Sequence, residues 1–339
     1  MNTPFKISRR SFVLSAVCLA ACKPGSAVLK LTGSTMGTTY NIVAVDHDGS
    51  VNKAELQSQI DSALGQINAL MSNWDAESEV SRFNHHAGTA PMTVSQELAQ
   101  VVAAAEDVHS KTDGYFDITL GPVIETWGFG ASAGGFATPD DAKLADAMAP
   151  VGQDKLSVSQ TSLQKTNPAT QMYLSSIGKG YGVDYVANVV SQAGLRDFMV
   201  EIGGDLYVSG SNADGMSWKI GVESPDPLSP EVVQVAKASD MGMATSGDYR
   251  NYFEEDGTRF SHIIDPKTGR PVTHNTASVT VLAENAMLAD AWATGLLAMG
   301  AERGIALSND LGISALFIER GANGTHVKNA TEAFSALQA

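Results

Sequence analysis

The chain has 339 residues, 43% of them hydrophobic and 17% charged, with a formal net charge of −15. This composition supports a sizeable core, in one large domain or two small ones, and argues against a disordered or low-complexity chain. An acidic surface repels phosphate backbones, which argues against nucleic acid as a partner; a phosphate-bearing substrate has to be held locally, by a metal ion, a helix N-terminus or a few placed cations.

The first residues read as an address. Lys6, Arg9 and Arg10 form a basic start, and Ser11 to Ala21 is an apolar run too short to span a bilayer as a stable helix. Ser8-Arg9-Arg10-Ser11-Phe12-Val13-Leu14 resembles a twin-arginine export motif, and Leu19-Ala20-Ala21-Cys22 resembles a lipoprotein cleavage box. The expectation is an export signal over 1–21 and a lipidated tether over 22–32, with Cys22 acylated and holding the protein at a membrane without a transmembrane helix. A plain secretory signal with an incidental cysteine is the simpler alternative. The only other cysteine, Cys18, leaves with the signal. The mature chain then has no thiol, disulfide or Cys-based zinc chemistry. Loss of three basic residues takes the charge from −15 to −18.

Further along, a first strand ends near Ser34, and Thr38 to Asp46 alternates as a second strand. Leu56, Ile60, Leu64 and Ile67 predict a helix over Asn52 to Leu70, and Ser95 to Ser110 predicts another. Ile118 to Trp127 is apolar but interrupted by Gly121-Pro122, and Gly128 to Pro139 is a loop. Pro139-Asp140-Asp141 starts a helix to about Met148. Tyr181 to Ala193 is a helix ended by Gly194. Strands are expected at Phe198 to Ile202, Leu206 to Ser209, Trp218 to Glu223, Val232 to Ala236, Phe260 to Ile264, Val279 to Leu282 and Ile313 to Ile318. Gly203-Gly204-Asp205 turns the chain between the first two. Ala286 to Met299 is a strongly apolar helix stopped by Gly300. The intermixed elements predict an α+β fold with mixed or antiparallel sheets, not a doubly wound parallel one.

Within the apolar helix, Asp290 and Thr294 are four apart and share a face. A carboxylate in such surroundings is costly unless paired or metal-bound, and carboxylate plus hydroxyl are hard ligands for Mg²⁺ or Ca²⁺. A helix-start cap explains the same aspartate. His262 stands at a strand end before the turn Asp265-Pro266-Lys267-Thr268-Gly269, where functional groups often sit, although a lone histidine is more often structural. Ser175 to Gly182 is a Gly-rich helix entry able to offer N–H groups to a phosphate, but it is neither a dinucleotide fingerprint nor a Walker loop. Asn73-Trp74-Asp75 and Tyr115-Phe116-Asp117 set aromatics beside an aspartate, suited to a planar ring or simply to a core with a capping Asp.

The order of these motifs carries more than any one of them. GSTMGTTY from Gly33, MSNWDAESEVSRFN from Met71, GYFDITLGPV from Gly114, LSSIGKGYGVD from Leu174, VEIGGDLYVSG from Val200, ATSGDYRNYF from Ala244, SHIIDPKTGRPV from Ser261 and AMLADAWATGLL from Ala286 together resemble the ApbE-type FAD:protein FMN transferases. The resemblance implies a catalytic domain over 33–339. It implies FAD contacts at Met36, Trp74, Tyr115, Phe116, Asp117, Tyr173, Lys179 and Ile264. It implies an Mg²⁺ site at Ser176, Asp290, Ala293 and Thr294, with backbone oxygens from Ser176 and Ala293. His262 matches a catalytic histidine. Tyr173 departs from the pattern, because many relatives carry an Asp there.

The implied reaction is attack by a Thr or Ser hydroxyl of an acceptor protein on the FMN-side phosphorus of FAD, with AMP leaving. Acceptors in the family are redox proteins, such as subunits of Na⁺-translocating NADH:quinone reductases. The implied location is the periplasmic side of a bacterial membrane, with the inner membrane as the anchor. Two other functions use the same residues differently: an FAD pyrophosphatase, with water as the nucleophile, and a flavin-binding lipoprotein with no need of a metal or a base.

Overall fold

The computed structural model describes residues 26–131, 134–226, 231–322 and 325–338. The export signal and Cys22 lie outside the described residues.

Eight strands form one sheet, and their spatial order is their chain order. They are β1 (Ala27–Thr35), β2 (Thr38–Asp46), β3 (Asp197–Ile202), β4 (Asp205–Ser209), β5 (Met241–Gly247), β6 (Thr276–Ala283), β7 (Ser314–Arg320) and β8 (His326–Ala330). Every adjacent pair is antiparallel. The sheet is thus an up-and-down meander, and the rest of the chain is inserted between its strands. This agrees with the antiparallel expectation.

The long insertion between β2 and β3 carries α1 (Lys53–Met71), α2 (Glu79–His85), α3 (Gln96–Lys111), α4 (Gly121–Thr126), α5 (Asp141–Met148) and α6 (Gly178–Gln192). Helix α1 forms where the spacing requires it. Asn52 caps it by accepting from the N–H groups of Ala54 and Glu55, and Leu56, Ile60, Leu64 and Ile67 are all buried. Each such side chain contributes about 1.5–3 kcal/mol of burial, against about 1 kcal/mol for the cap. Packing therefore holds the helix, and the cap sets where it begins. Asp140 caps α5 in the same way, accepting from Lys143 N at 2.8 Å. Pro122 stands in the first turn of α4, where a missing N–H costs nothing, so it starts a helix.

Helices α7 (Ala286–Met299) and α8 (Ala301–Leu311) connect β6 to β7. One sheet face, through Ala244, Val279, Val281 and Phe317, packs on α7 and α3. The opposite face, through Leu206, Met243, Leu282 and Ile318, packs on a two-stranded ribbon, Trp218–Glu223 with Val232–Ala238. Covered on both sides, β6 is buried along nearly its whole length. Helix α7 sits close against both α6 and β5. A Cβ on Gly180 would lie 2.2 Å from Ala286 O, and one on Gly242 would lie 2.2 Å from Ala286 N. Only glycine at both positions lets the start of α7 enter.

One expected element differs. The strand expected over Phe260 to Ile264 is broken: Thr258–Ser261 pairs with Tyr252–Glu255, and Ile264–Asp265 pairs with Arg270–Pro271. Between them, His262 N donates to Asn251 O and Val272 N donates to Ile263 O, so the ladder changes partner at the histidine. Strand β5 and helix α8 had no counterpart among the sequence expectations.

Candidate active site

A cleft of about 1190 Å³ opens where the insertions meet strands β2, β3, β4 and β5 of the sheet. It brings together Tyr115, Phe116, Asp117, Tyr173, Ser176, Lys179, His262, Ile264, Asp290 and Thr294 from four separate stretches of chain. Three expected residues stand elsewhere. Met36 lines an adjoining hollow of about 500 Å³ at the β1–β2 turn, where its φ is +49°. Trp74 is 63% exposed and meets the Tyr173 ring edge-on at 6.2 Å, which puts a large aromatic beside the cleft mouth. Ala293 is fully buried within α7, one residue before Thr294.

Asp290 is held by the α6–α7 crossing. Its Oδ2 accepts from Gly180 N at 3.0 Å. It does not cap its helix: Asn285 does, accepting from Leu288 N, and Asp184 of α6 accepts from Ala286 N and Met287 N at 2.8 Å each. Asp184 is itself pushed up to about 6 by burial, against the pull of those two N–H groups. Thr294, one turn on, lies 3.0 Å from Ser246 Oγ of β5.

A second buried carboxylate, Asp205 at the start of β4, is 2.9 Å from Lys179 Nζ. Burial raises Asp205, and Lys179 opposes the rise. For Lys179, burial lowers the ammonium, but Asp205 and Asp290 outweigh it and the net shift is upward. The lysine therefore stays charged in the cleft wall. Asp290 is pushed up to about 8, first by burial and then by Asp205, with Lys179 and Gly180 opposing. A carboxyl disfavoured as an anion in this way is relieved by a cation.

The donors fit a hard cation: a buried carboxylate on the cleft wall, the Thr294 hydroxyl on the same helix face, and the Ser176 stretch across from them. Among the described residues no three His, Cys, Asp or Glu side chains cluster to hold a metal. Any ion here rests on hydroxyl, carbonyl and water oxygens around Asp290, an arrangement that suits Mg²⁺, which keeps several waters.

The opposite wall carries His262. Its Nδ1 is 3.0 Å from Asn251 O, which also accepts from the His262 backbone N–H. A carbonyl only accepts, so Nδ1 carries the proton and Nε2 keeps a lone pair. Burial lowers the histidine from its ordinary value, with the Asn251 bond and Asp248 opposing in part. The ring is thus neutral at pH 7. Phe129 packs against it edge-on, at 6.3 Å between centroids. Phe129, Phe136, Phe253 and Phe260 continue from there as an aromatic cluster.

The remaining expected residues serve the frame. Phe116 is a core ring, and its carbonyl accepts from His109 Nδ1 at 2.7 Å. Asp117 accepts from Thr119 N and Oγ1 at 2.7 and 2.5 Å, closing the turn before α4. Tyr115 accepts from Arg303 and has Lys267 and Arg303 near its ring. Tyr173, in place of an acid, donates to Glu125 and accepts from Ala131 N. It ties the site to the α4 loop instead of offering a charge. Sequence reasoning missed Asp205, Ser246 and Asp248. Asp248 is buried and paired with Arg259 and Arg320 behind the histidine wall. Gly-Gly-Asp and Ser-Gly-Asp were visible inside quoted motifs, but their partners are distant in sequence.

A mixed fold with a buried Asp290–Lys179–Asp205 cluster facing a neutral histidine across one cleft defines a group-transfer enzyme. The chain belongs to the ApbE family, whose pattern matches residues 36–317. It is 42% identical over 310 residues to the FAD:protein FMN transferase of Vibrio cholerae, covering 91% of this chain and 93% of that one. It is 40% identical over 333 residues to the FAD:protein FMN transferase of Haemophilus influenzae, covering 96% of each. The flavinyl transferase ApbE of Pseudomonas stutzeri shares the fold, with a TM-score of 0.85 at 36% identity, over 92% of this chain and 97% of that one.

Proposed function

We propose that the chain is an FAD:protein FMN transferase that requires Mg²⁺ and forms a phosphoester between FMN and a Thr or Ser side chain of an acceptor protein. The observation that carries this reading is the facing of Asp290 and Thr294 against His262 across one cleft, with Lys179 held charged between two carboxylates.

The acceptor oxygen attacks the FMN-side phosphorus, the bond to the AMP oxygen breaks, and the hydroxyl proton goes to His262 Nε2. Asn251 O holds the imidazole in the tautomer that can take it. Such a base contributes about 10²–10⁴-fold. Lys179 supplies a fixed positive charge for the pyrophosphate, and Asp205 keeps its ammonium in place. A bound Mg²⁺, held by Asp290, Thr294 and carbonyl oxygens near Ser176 and Ala293, would neutralise phosphate charge. Trp74, Tyr173, Tyr115, Met36 and Ile264, in or beside the cleft, would meet the flavin nucleotide.

The acceptor proposed is a membrane-associated redox protein, such as a subunit of a Na⁺-translocating NADH:quinone reductase. The location proposed is the periplasmic side of the inner membrane, with the anchor at Cys22. These rest on the export and lipidation motifs in the sequence. Among the described residues no helix is long and apolar enough to cross a membrane.

The test is to incubate the purified protein with FAD, Mg²⁺ and a peptide bearing an acceptor Thr. The expected outcome is a peptide heavier by one FMN, with AMP released and the gain abolished by chelator. FMN and AMP without a modified peptide would replace the transferase by a pyrophosphatase. FAD bound but unchanged with two unrelated acceptors would leave a carrier.

A further inference from the structure

We propose that Ser246 is a positioning residue for the metal site: its Oγ accepts the hydrogen bond of the Thr294 hydroxyl and so turns that oxygen's lone pairs toward the cation. The proposal rests on the metal reading of Asp290 and Thr294 given above.

A hydroxyl that gives a lone pair to a cation has to send its one proton elsewhere. Ser246 Oγ is 3.0 Å from Thr294 Oγ1, and both residues line the cleft. With Thr294 donating, the arrangement is the hydroxyl counterpart of an outer partner orienting a metal-bound histidine. With Ser246 donating instead, one of the two Thr294 lone pairs would be spent on that bond, so metal binding favours the first direction.

The acceptor is well fixed. Ser246 pairs with Val279 in the sheet, one pair before the end of the β5–β6 ladder. The preceding residue is held across the same ladder: Thr245 Oγ1 is 2.8 Å from Thr280 Oγ1.

The experiment is Mg²⁺ titration of the purified protein, read by calorimetry and by thermal shift, on wild type, Ser246→Ala, Ser246→Thr and Thr280→Val. The expected result for Ser246→Ala is Mg²⁺ affinity weakened by about 10- to 100-fold, with a metal-free Tm within about 2 °C of wild type. Ser246→Thr, which keeps an acceptor oxygen, restores the affinity. Thr280→Val removes a neighbouring hydroxyl pair without touching Thr294, and lowers Tm while leaving the affinity unchanged. Wild-type affinity in Ser246→Ala overturns the proposal, as does equal weakening in Thr280→Val, which would indicate general loosening. A wild-type protein that takes up no Mg²⁺ overturns the metal reading on which the proposal stands, and is told apart by that control.

Discussion

The two walls of the cleft are built on opposite principles. On the α6–α7 wall, three ionisable groups are buried together: Asp205, Lys179 and Asp290. None is comfortable there alone, and each is tolerated because the others or a cation offset its desolvation. On the hairpin wall, His262 is kept neutral and is held by one backbone carbonyl. The difference teaches where stability and chemistry are coupled. Changes on the first wall disturb both strongly, whereas changes on the second act chiefly on chemistry.

The largest effect tests the first wall. Asp290→Ala is expected to lower the transfer rate by about 10³–10⁴-fold, equivalent to several kcal/mol of charge stabilisation, and to abolish any rise in Tm on adding Mg²⁺. Because Asp290 holds its proton up to about pH 8, proton and metal compete. Apparent Mg²⁺ affinity is therefore expected to fall as pH drops below about 8, measured by titration at several pH values. A variant with full activity, or an affinity flat between pH 6 and 8, would break the comparison at its root.

His262→Ala is the matching test on the second wall. The expected loss is about a thousandfold in kcat, with the FAD dissociation constant and the Tm little changed. A loss of FAD binding or of stability comparable to that of a first-wall variant would make the histidine part of the frame.

Legibility in the sequence divides along the same line. The apolar helix with Asp290 and Thr294 one turn apart was readable, because helical periodicity is local, and so was the Gly203-Gly204 turn of the β3–β4 hairpin. Strand β5 was not: Met-Gly-Met-Ala-Thr-Ser-Gly lacks the β-branched and aromatic residues that mark strands, and it is a strand because α7 packs closely on it. Asp205 looked like a turn residue; only the sheet and α6 together reveal an ion pair. The break at His262 depends on Asn251, on the other arm of a hairpin. The segment Tyr115-Phe116-Asp117 lines the cleft, but Phe116 turns into the core, a choice that α3 makes and spacing does not.

A smaller effect sharpens the coupling on the first wall. Lys179→Met keeps most of the bulk and removes the charge, leaving Asp205 buried without its partner. Breaking such a pair costs about 3–5 kcal/mol when the remaining group stays charged, and less when it takes up a proton. Asp205 is already raised by burial, and loss of Lys179 raises it further. The folded variant then binds a proton that the unfolded chain releases, so its stability falls as pH rises through the folded value. The expected Tm deficit relative to wild type is therefore larger at pH 8 than at pH 5, by melting at both.

The smallest effect, and the most diagnostic for the second wall, is the acid limb of the rate. Burial sets the folded pKa of His262 below the ordinary value of about 6.5. The base form persists to lower pH than a free imidazole would allow, so kcat/KM should begin to fall only below that value, by about tenfold per pH unit. The linked stability has the same sign. Below about 6.5 the unfolded chain takes up a proton that the folded ring refuses, so stability falls as pH falls through that range. His262→Ala should remove the limb from the residual rate. An acid limb centred above 6.5 would mean that the imidazolium is stabilised by nearby carboxylates, and the hairpin wall would then join the first as a site built on charge.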